Sequence, residues 1–377
     1  MGAPSWYRAE SERFLHLDAM RFFSAAAITL FHYVGMVWPG PNPGPLSFFT
    51  PLHLGVDLFF VISGIMMADL YRGRVASTSA YLGFMRKRVA RIAPLHYLTF
   101  FFFLIASTVM LRAGLHIDHI RNYDPRCIIP NLTMTHAFGV CEQNTFNTPS
   151  WSVSCEMALY VALPILLWVT RRQLIGFVAV GLTLFALSAW DSAWPSRTYD
   201  LGVLRALPSF GLGLLLADAR PLLARIPAPR VLLGVATVAL VLLVVLPVGD
   251  LARLPAIYVT VALALAADRR GAAGPIVHAI APLGRLTYSI YMLNEPVMLV
   301  LGQVPGRMLH LTGTGYAVWM GAVALTALPV CSLASLVLFE TPMRRWLSGR
   351  AMSSTGSAHA PAMPPSAVAT ESKASAF

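Results

Sequence analysis

The chain is 377 residues long, 56% hydrophobic and only 12% charged, with a mean hydropathy of +0.64. A soluble domain carries about twice that charged fraction, so the composition excludes an ordinary water-soluble globule and points to a bilayer. The net charge of +11 is no nucleic-acid footprint, because its distribution follows membrane sidedness.

In chain order, polar residues 1–16 read as a cytoplasmic N-terminal segment without the pattern of a signal peptide. Ten apolar stretches follow, at about 19–38, 52–71, 89–111, 150–170, 173–190, 201–217, 231–248, 252–268, 283–302 and 315–340. The expected fold is all-α: a polytopic integral-membrane bundle of about ten transmembrane helices over 17–348. A disordered cytoplasmic tail, 349–377, is rich in Ser, Ala and Pro. With both termini cytoplasmic, only Arg112, Arg121, Arg126, Arg197, Arg253 and Arg307 fall outside, and Arg205 lies within a span. That asymmetry satisfies the positive-inside rule. Arg outnumbers Lys 26 to 2, the mark of a GC-rich genome, so a bacterial inner membrane is the expected location.

The long external segment 112–149 holds Cys127 and Cys141, which an oxidising compartment permits to pair. Its histidines, His116, His119 and His136, are too loosely spaced for a metal site and read as surface residues; no metal is expected. Asn131-Leu-Thr133 fits a glycosylation sequon, which matters only in a eukaryotic secretory pathway. Cys155 and Cys331 read as packed small residues. No internal repeat is evident, which weighs against an inverted-repeat transporter.

The informative residues are those a bilayer should exclude. Eleven helical steps separate Arg21 from His32, roughly 16 Å, so one sits at a membrane face and the other near the middle. Asp57 falls about a turn below the outer end of the second span, and Glu156 lies inward of Trp151, an expected interface anchor. Asn294 and Glu295 come near the middle of the ninth span, beside Pro296. Ionisable groups at such depth are functional suspects. Structural readings stand beside these: His32 as a hydrogen bond between helices, Asp57 solvated or paired with a helix N-terminus, Glu156 and Glu295 paired with Arg205 or each other. Tyr288, Tyr291 and Trp151 also suit packing, and Gly55, Ser63 and Gly64 close helix contact. At the inner face, Arg86 and Lys87 are topogenic, whereas Arg21, Arg88 and Arg91 are either topogenic or phosphate-binding, guanidinium forks matching phosphate geometry.

The ordered set of these segments resembles acyltransferase family 3, membrane-bound enzymes that O-acylate sugars, lipids and antibiotics. The likeness runs from about residue 16 to 347. It rests on Arg21-x10-His32, Gly55-Val-Asp-Leu-Phe-Phe-Val-Ile-Ser-Gly64, Arg88-x-x-Arg91 before Pro94, and Trp151-Ser-x-x-x-Glu156 with Tyr160. Thr287-Tyr-Ser-Ile-Tyr291 and Glu340-Thr-Pro-Met-Arg344 resemble the family's closing signatures. The resemblance implies that His32 is catalytic and that the arginines matter for activity. It also implies acyl-CoA (acetyl-CoA by default) as donor substrate rather than a bound cofactor, and a carbohydrate or glycolipid acceptor. Asn294 stands where the family commonly has histidine; an amide takes no proton, so its role is positional. No hydrolase-like C-terminal domain, as some members carry, is expected to act here.

The mechanism expected places CoA phosphates on Arg21, Arg88 and Arg91, with the pantetheine arm reaching toward His32. His32 would deprotonate the acceptor hydroxyl, with Glu156 or Asp57 orienting it as the other catalytic residues; an acyl-histidine intermediate is a variant. Trp151, Ser152, Tyr288, Tyr291, Asn294 and Glu295 are the expected substrate contacts. Competing readings are a transporter or flippase of glycan or acyl donor, a non-catalytic homologue, and an O-acyltransferase of macrolide-type molecules.

Overall fold

The computed structural model describes residues 14–38, 44–115, 117, 119–271 and 273–349. Most of the N-terminal segment, nearly all of the tail, His116 and Asp118 lie outside them. Every regular element among the described residues is helical. The long ones are α1 Leu15–Val37, α2 Gly55–Tyr71, α3 Thr78–Arg112, α4 Trp151–Val161, α5 Leu163–Thr170 and α6 Gln173–Trp190. They continue with α7 Gly202–Asp218, α8 Pro229–Val245, α9 Asp250–Arg269, α10 Thr287–Val297 and α11 Gly313–Leu347.

Six of these are long and apolar enough to cross a membrane: α1, α2 with its lead-in from Phe48, α3, α6, α9 and α11. A seventh arises if α4 and α5 act as one span, bent by 65°. The bend sits at Pro164, which lacks an N–H and whose ring collides with the carbonyl four residues back. The count of ten is not reached by single long helices. Stretches 201–217 and 231–248 fall on α7 and α8, each 17 residues, roughly 25 Å against a hydrocarbon core of ~30 Å. Stretch 283–302 divides into a 3-10 turn, Ala281–Leu286, then α10, then a π segment, Met298–Gln303.

Prolines explain the irregular helices. The π segments Met298–Gln303, Val323–Ala327 and Ser335–Glu340 each end two residues before a proline: Pro305, Pro329 and Pro342. A missing N–H and a ring that needs room are both relieved by one wider turn.

The most buried of the six candidate spans is that of α2, and its sequence dictates its closest neighbour. A Cβ on Gly64 would lie 2.2 Å from the Phe210 carbonyl oxygen, and one on Gly213 of α7 would lie 2.1 Å from that of Val61. The two backbones therefore touch, as small residues allow between helices in lipid. Gly55 is equally tight, a Cβ there meeting Ser24 Oγ at 2.6 Å. The outward faces of α6, α8 and α11 present Phe185, Val238, Leu325 and Leu338, an apolar surface suited to lipid.

Residues 120–150 fold as a compact cap. Cys127 and Cys141 are disulfide-bonded and pack with Phe100, Phe103 and Phe146. His136, expected at the surface, is instead buried. Its ring stacks on His96 of α3 with planes 2° apart and centroids at 5.7 Å. Its Nε2 lies 3.1 Å from Ser150 Oγ, and burial pushes its imidazole down to about 3. Asn131 of the sequon is also buried, its Nδ2 donating to the Cys127 carbonyl at 2.8 Å and Thr145 Oγ1 at 2.9 Å. Its amide faces protein, not solvent. No three His, Cys, Asp or Glu groups converge as metal ligands among the described residues.

Candidate active site

Two of the cavities within the bundle hold most of the sequence-expected residues between them. The first, about 430 Å³, is lined by Arg21 of α1, Arg88 and Arg91 of α3, and Arg285 and Arg344. Arg88 and Arg91 share a helix face because they are three apart. Arg88 is braced: its Nη2 donates to Tyr71 Oη at 2.8 Å. Its guanidinium also sits 5.2, 5.8 and 5.7 Å from the ring centres of Tyr71, Phe84 and Tyr160. Arg21 Nη1 lies 3.5 Å from the buried Asp18 carboxylate. Five cations around one void make a phosphate-sized anion a fitting occupant.

Glu156 lines this arginine cavity, accepting hydrogen bonds from Ser63 Oγ at 3.0 Å and from the Tyr160 hydroxyl. It does not line the His32 cavity, so the expected Glu156–His32 partnership is not what the fold brings together. Tyr288 lines the same void while its hydroxyl donates to the Ile92 carbonyl at 2.6 Å. Ser63, whose small size suits packing, serves here through its hydroxyl.

The second cavity, about 500 Å³, contains His32, with His53, Thr148, Trp151, Tyr291 and Glu295 among its walls. The His32 ring meets Phe31 edge-on at 5.2 Å and has no hydrogen-bond partner among the described residues. It is therefore not a polar tie between helices. Glu295 Oε2 accepts the Thr148 backbone N–H at 2.6 Å, at the start of the short 3-10 turn that leads into α4. His53 is held from both sides, Nδ1 2.8 Å from the Thr50 carbonyl and Nε2 3.3 Å from Asp250. Trp151, expected as an interface anchor, is buried with the Arg205 guanidinium 5.0 Å from its ring centre.

Asp57 lines neither cavity. Its Oδ2 pairs with Arg205 Nη2 at 2.7 Å, both side chains at most 1% exposed. Arg205 also donates to the carbonyls of His53 and Arg197, each at 3.2 Å. Asp57 sits in the first turn of α2, where a helix N-terminus favours a carboxylate. The pair joins α2 to α7, which answers the Arg205 question raised by the sequence with Asp57, not with a glutamate. Asn294 is likewise outside both walls, its buried amide atoms without a hydrogen-bond partner among the described residues.

Val56 and Tyr291 line both cavities. Tyr291 is pinned by Ser152, whose Oγ donates to its Oη at 2.9 Å, and by the Phe59 ring at 6.2 Å. The phenol thus stands in a wall that the two voids share. Sequence reasoning passed over Arg285 and Arg344 as topogenic charge, although Arg344 closes a quoted signature. It also missed His53 and Thr148, which sit just ahead of apolar runs without a recognisable pattern.

Comparison with known proteins identifies a family. The family model described as an acyltransferase domain matches residues 14–336. The chain is 29% identical over 163 residues to "Acyltransferase MdmB" of Streptomyces mycarofaciens, covering 41% of this chain and 40% of that protein. It is 28% identical over 196 residues to "Nodulation protein 10" of Rhizobium leguminosarum bv. viciae, covering 47% and 50%. The alignments span half or less of these curated relatives. No solved structure matches significantly. The family match covers most of the chain, which therefore belongs to acyltransferase family 3 and carries helices long and apolar enough to span a bilayer.

Proposed function

We propose that the chain is an integral-membrane O-acyltransferase that moves an acyl group, acetyl by the family's default, from acyl-CoA to a sugar or glycan hydroxyl. The observation that carries this reading is an arginine-lined cavity that shares a wall with one holding an imidazole without a hydrogen-bond partner among the described residues. Arginine distribution along the sequence supports an arginine cavity open to the cytoplasm, both termini on that side, and a multi-pass location in a bacterial inner membrane.

Arg21, Arg88 and Arg91, joined by Arg285 and Arg344, bind the donor's phosphates. The pantetheine arm runs toward the wall that the two cavities share. The acceptor enters the His32 cavity, where the aromatic wall of Trp151 and polar Thr148 and Glu295 suit a sugar's apolar face and hydroxyls. His32 accepts the hydroxyl proton as the alcohol oxygen bonds to the thioester carbon. The C–S bond then breaks, and the imidazolium returns the proton to the departing CoA thiolate. A base of this kind contributes typically 10²–10⁴-fold. Glu156 acts on the donor side, and Asp57 holds α2 to α7 through Arg205.

Purified protein incubated with radiolabelled acetyl-CoA and candidate acceptors, glycans and macrolide-type glycosides alike, tests the reading. Label bonded covalently to an acceptor supports it. Label accumulating in vesicles without a modified acceptor contradicts it.

A further inference from the structure

We propose that Tyr291 is a further catalytic residue, the donor that binds the thioester carbonyl oxygen as it becomes an oxyanion. The inference rests on the acyl-CoA reading above. A donor held by the arginine cavity and an alcohol activated in the His32 cavity must meet at the wall that the two voids share. Val56 and Tyr291 stand there, and of the two only the tyrosine can donate a hydrogen bond.

Its hydroxyl is also arranged to donate. Ser152 Oγ shares its single proton between Tyr291 Oη at 2.9 Å and the Pro149 carbonyl at 3.2 Å, the shorter bond engaging a lone pair of the phenol. Its own proton has no protein acceptor among the described residues. A hydroxyl that accepts one hydrogen bond is polarised and becomes a stronger donor of the next. The residue is only 7% exposed and its ring packs on Phe59, so the donor is preorganised. Such placement favours the transition state over the ground state. The alcohol oxygen bonds to the carbonyl carbon, and the carbonyl π pair moves to the oxygen facing Tyr291. When that pair returns, the C–S bond breaks and the thiolate takes the proton held by His32. Ser152 is then a positioning residue, acting through the phenol.

The test uses the full-length protein in detergent and acetyl-CoA labelled with carbon-13 at the thioester carbonyl. Isotope-edited infrared spectroscopy reads the carbonyl stretch of bound donor without acceptor. Transfer kinetics are measured alongside. We expect a lowered stretch in wild type and in His32→Ala, and its return to the solution value in Tyr291→Phe. Tyr291→Phe should also lose about 10²–10³-fold in kcat with little change in KM for the donor. Ser152→Ala should lose part of the shift and a smaller factor in kcat, which keeps the inference testable if Tyr291→Phe fails to fold. Wild-type turnover in Tyr291→Phe, or an unaltered stretch in either variant, overturns the inference alone. A wild-type protein that binds no acyl-CoA overturns the donor reading and the inference together.

Discussion

The arginines of one cavity and the imidazole of the other are held in opposite ways. In the arginine cavity the side chains are braced: Arg88 on Tyr71 and three rings, Glu156 by Ser63 and Tyr160, Arg21 beside Asp18. In the other, His32 has no hydrogen-bond partner among the described residues. Groups that must hold a ligand in one pose gain from being locked, because less rotamer freedom is lost on binding. A group that must take up and release a proton needs a nitrogen left available. Asp57 marks the extreme of commitment, since Arg205 and Ser209 surround its carboxylate. Polarity at depth flags all these residues alike; only their partners separate them.

Substitutions can break that contrast, beginning with the largest effect. His32→Ala should lower turnover by about 10²–10⁴-fold with donor binding and protein amount retained, read by label transfer beside CoA displacement. Asp57→Asn should leave Arg205 buried without its countercharge, at a cost of about 3–5 kcal/mol. The deficit should appear as less folded protein and a lower melting temperature in detergent, not in the turnover of the molecules that survive. Arg91→Ala should raise the donor KM by roughly 10–100-fold with kcat little altered, since a hydrogen bond to a charged group is worth about 1.5–3 kcal/mol. Equal losses of kcat in the arginine and histidine variants would erase the distinction between the cavities.

The smallest effect at neutral pH belongs to His136. Burial holds its folded-state pKa near about 3, below the unfolded value of ~6.5. The unfolded chain then binds more protons on acidification. Stability from this residue is full above about pH 6.5 and declines as pH falls toward about 3. Melting temperature measured from pH 7 to 4 should fall less in His136→Phe than in wild type. Parallel curves would show that the stacked pair with His96 carries no such penalty.

Much of this architecture is legible in the residues because helical rise is fixed. Arg21 and His32, eleven residues apart, do fall in different cavities of one helix's path. The arginine pair on α3 shares a void for the same reason. What helical spacing does not encode is which helix faces which. Glu156 was expected beside His32, but Ser63 of α2 meets it in the arginine cavity. Sequence set Arg205 against Glu156 or Glu295, but the Gly64–Gly213 contact brings α7 to Asp57's helix. The prolines at 305, 329 and 342 are visible in the sequence, yet their relief by π turns depends on neighbouring helices. His136 looked exposed because the cap that buries it depends on a disulfide and on contacts with α3.

The most direct test is a single-turnover experiment with purified wild type and His32→Ala, each loaded with labelled acetyl-CoA before acceptor is added. The account predicts equal donor affinity and a rate of acyl transfer at least about 100-fold lower in the variant. Transfer at the wild-type rate, or loss of donor binding as large as the loss of rate, would contradict it.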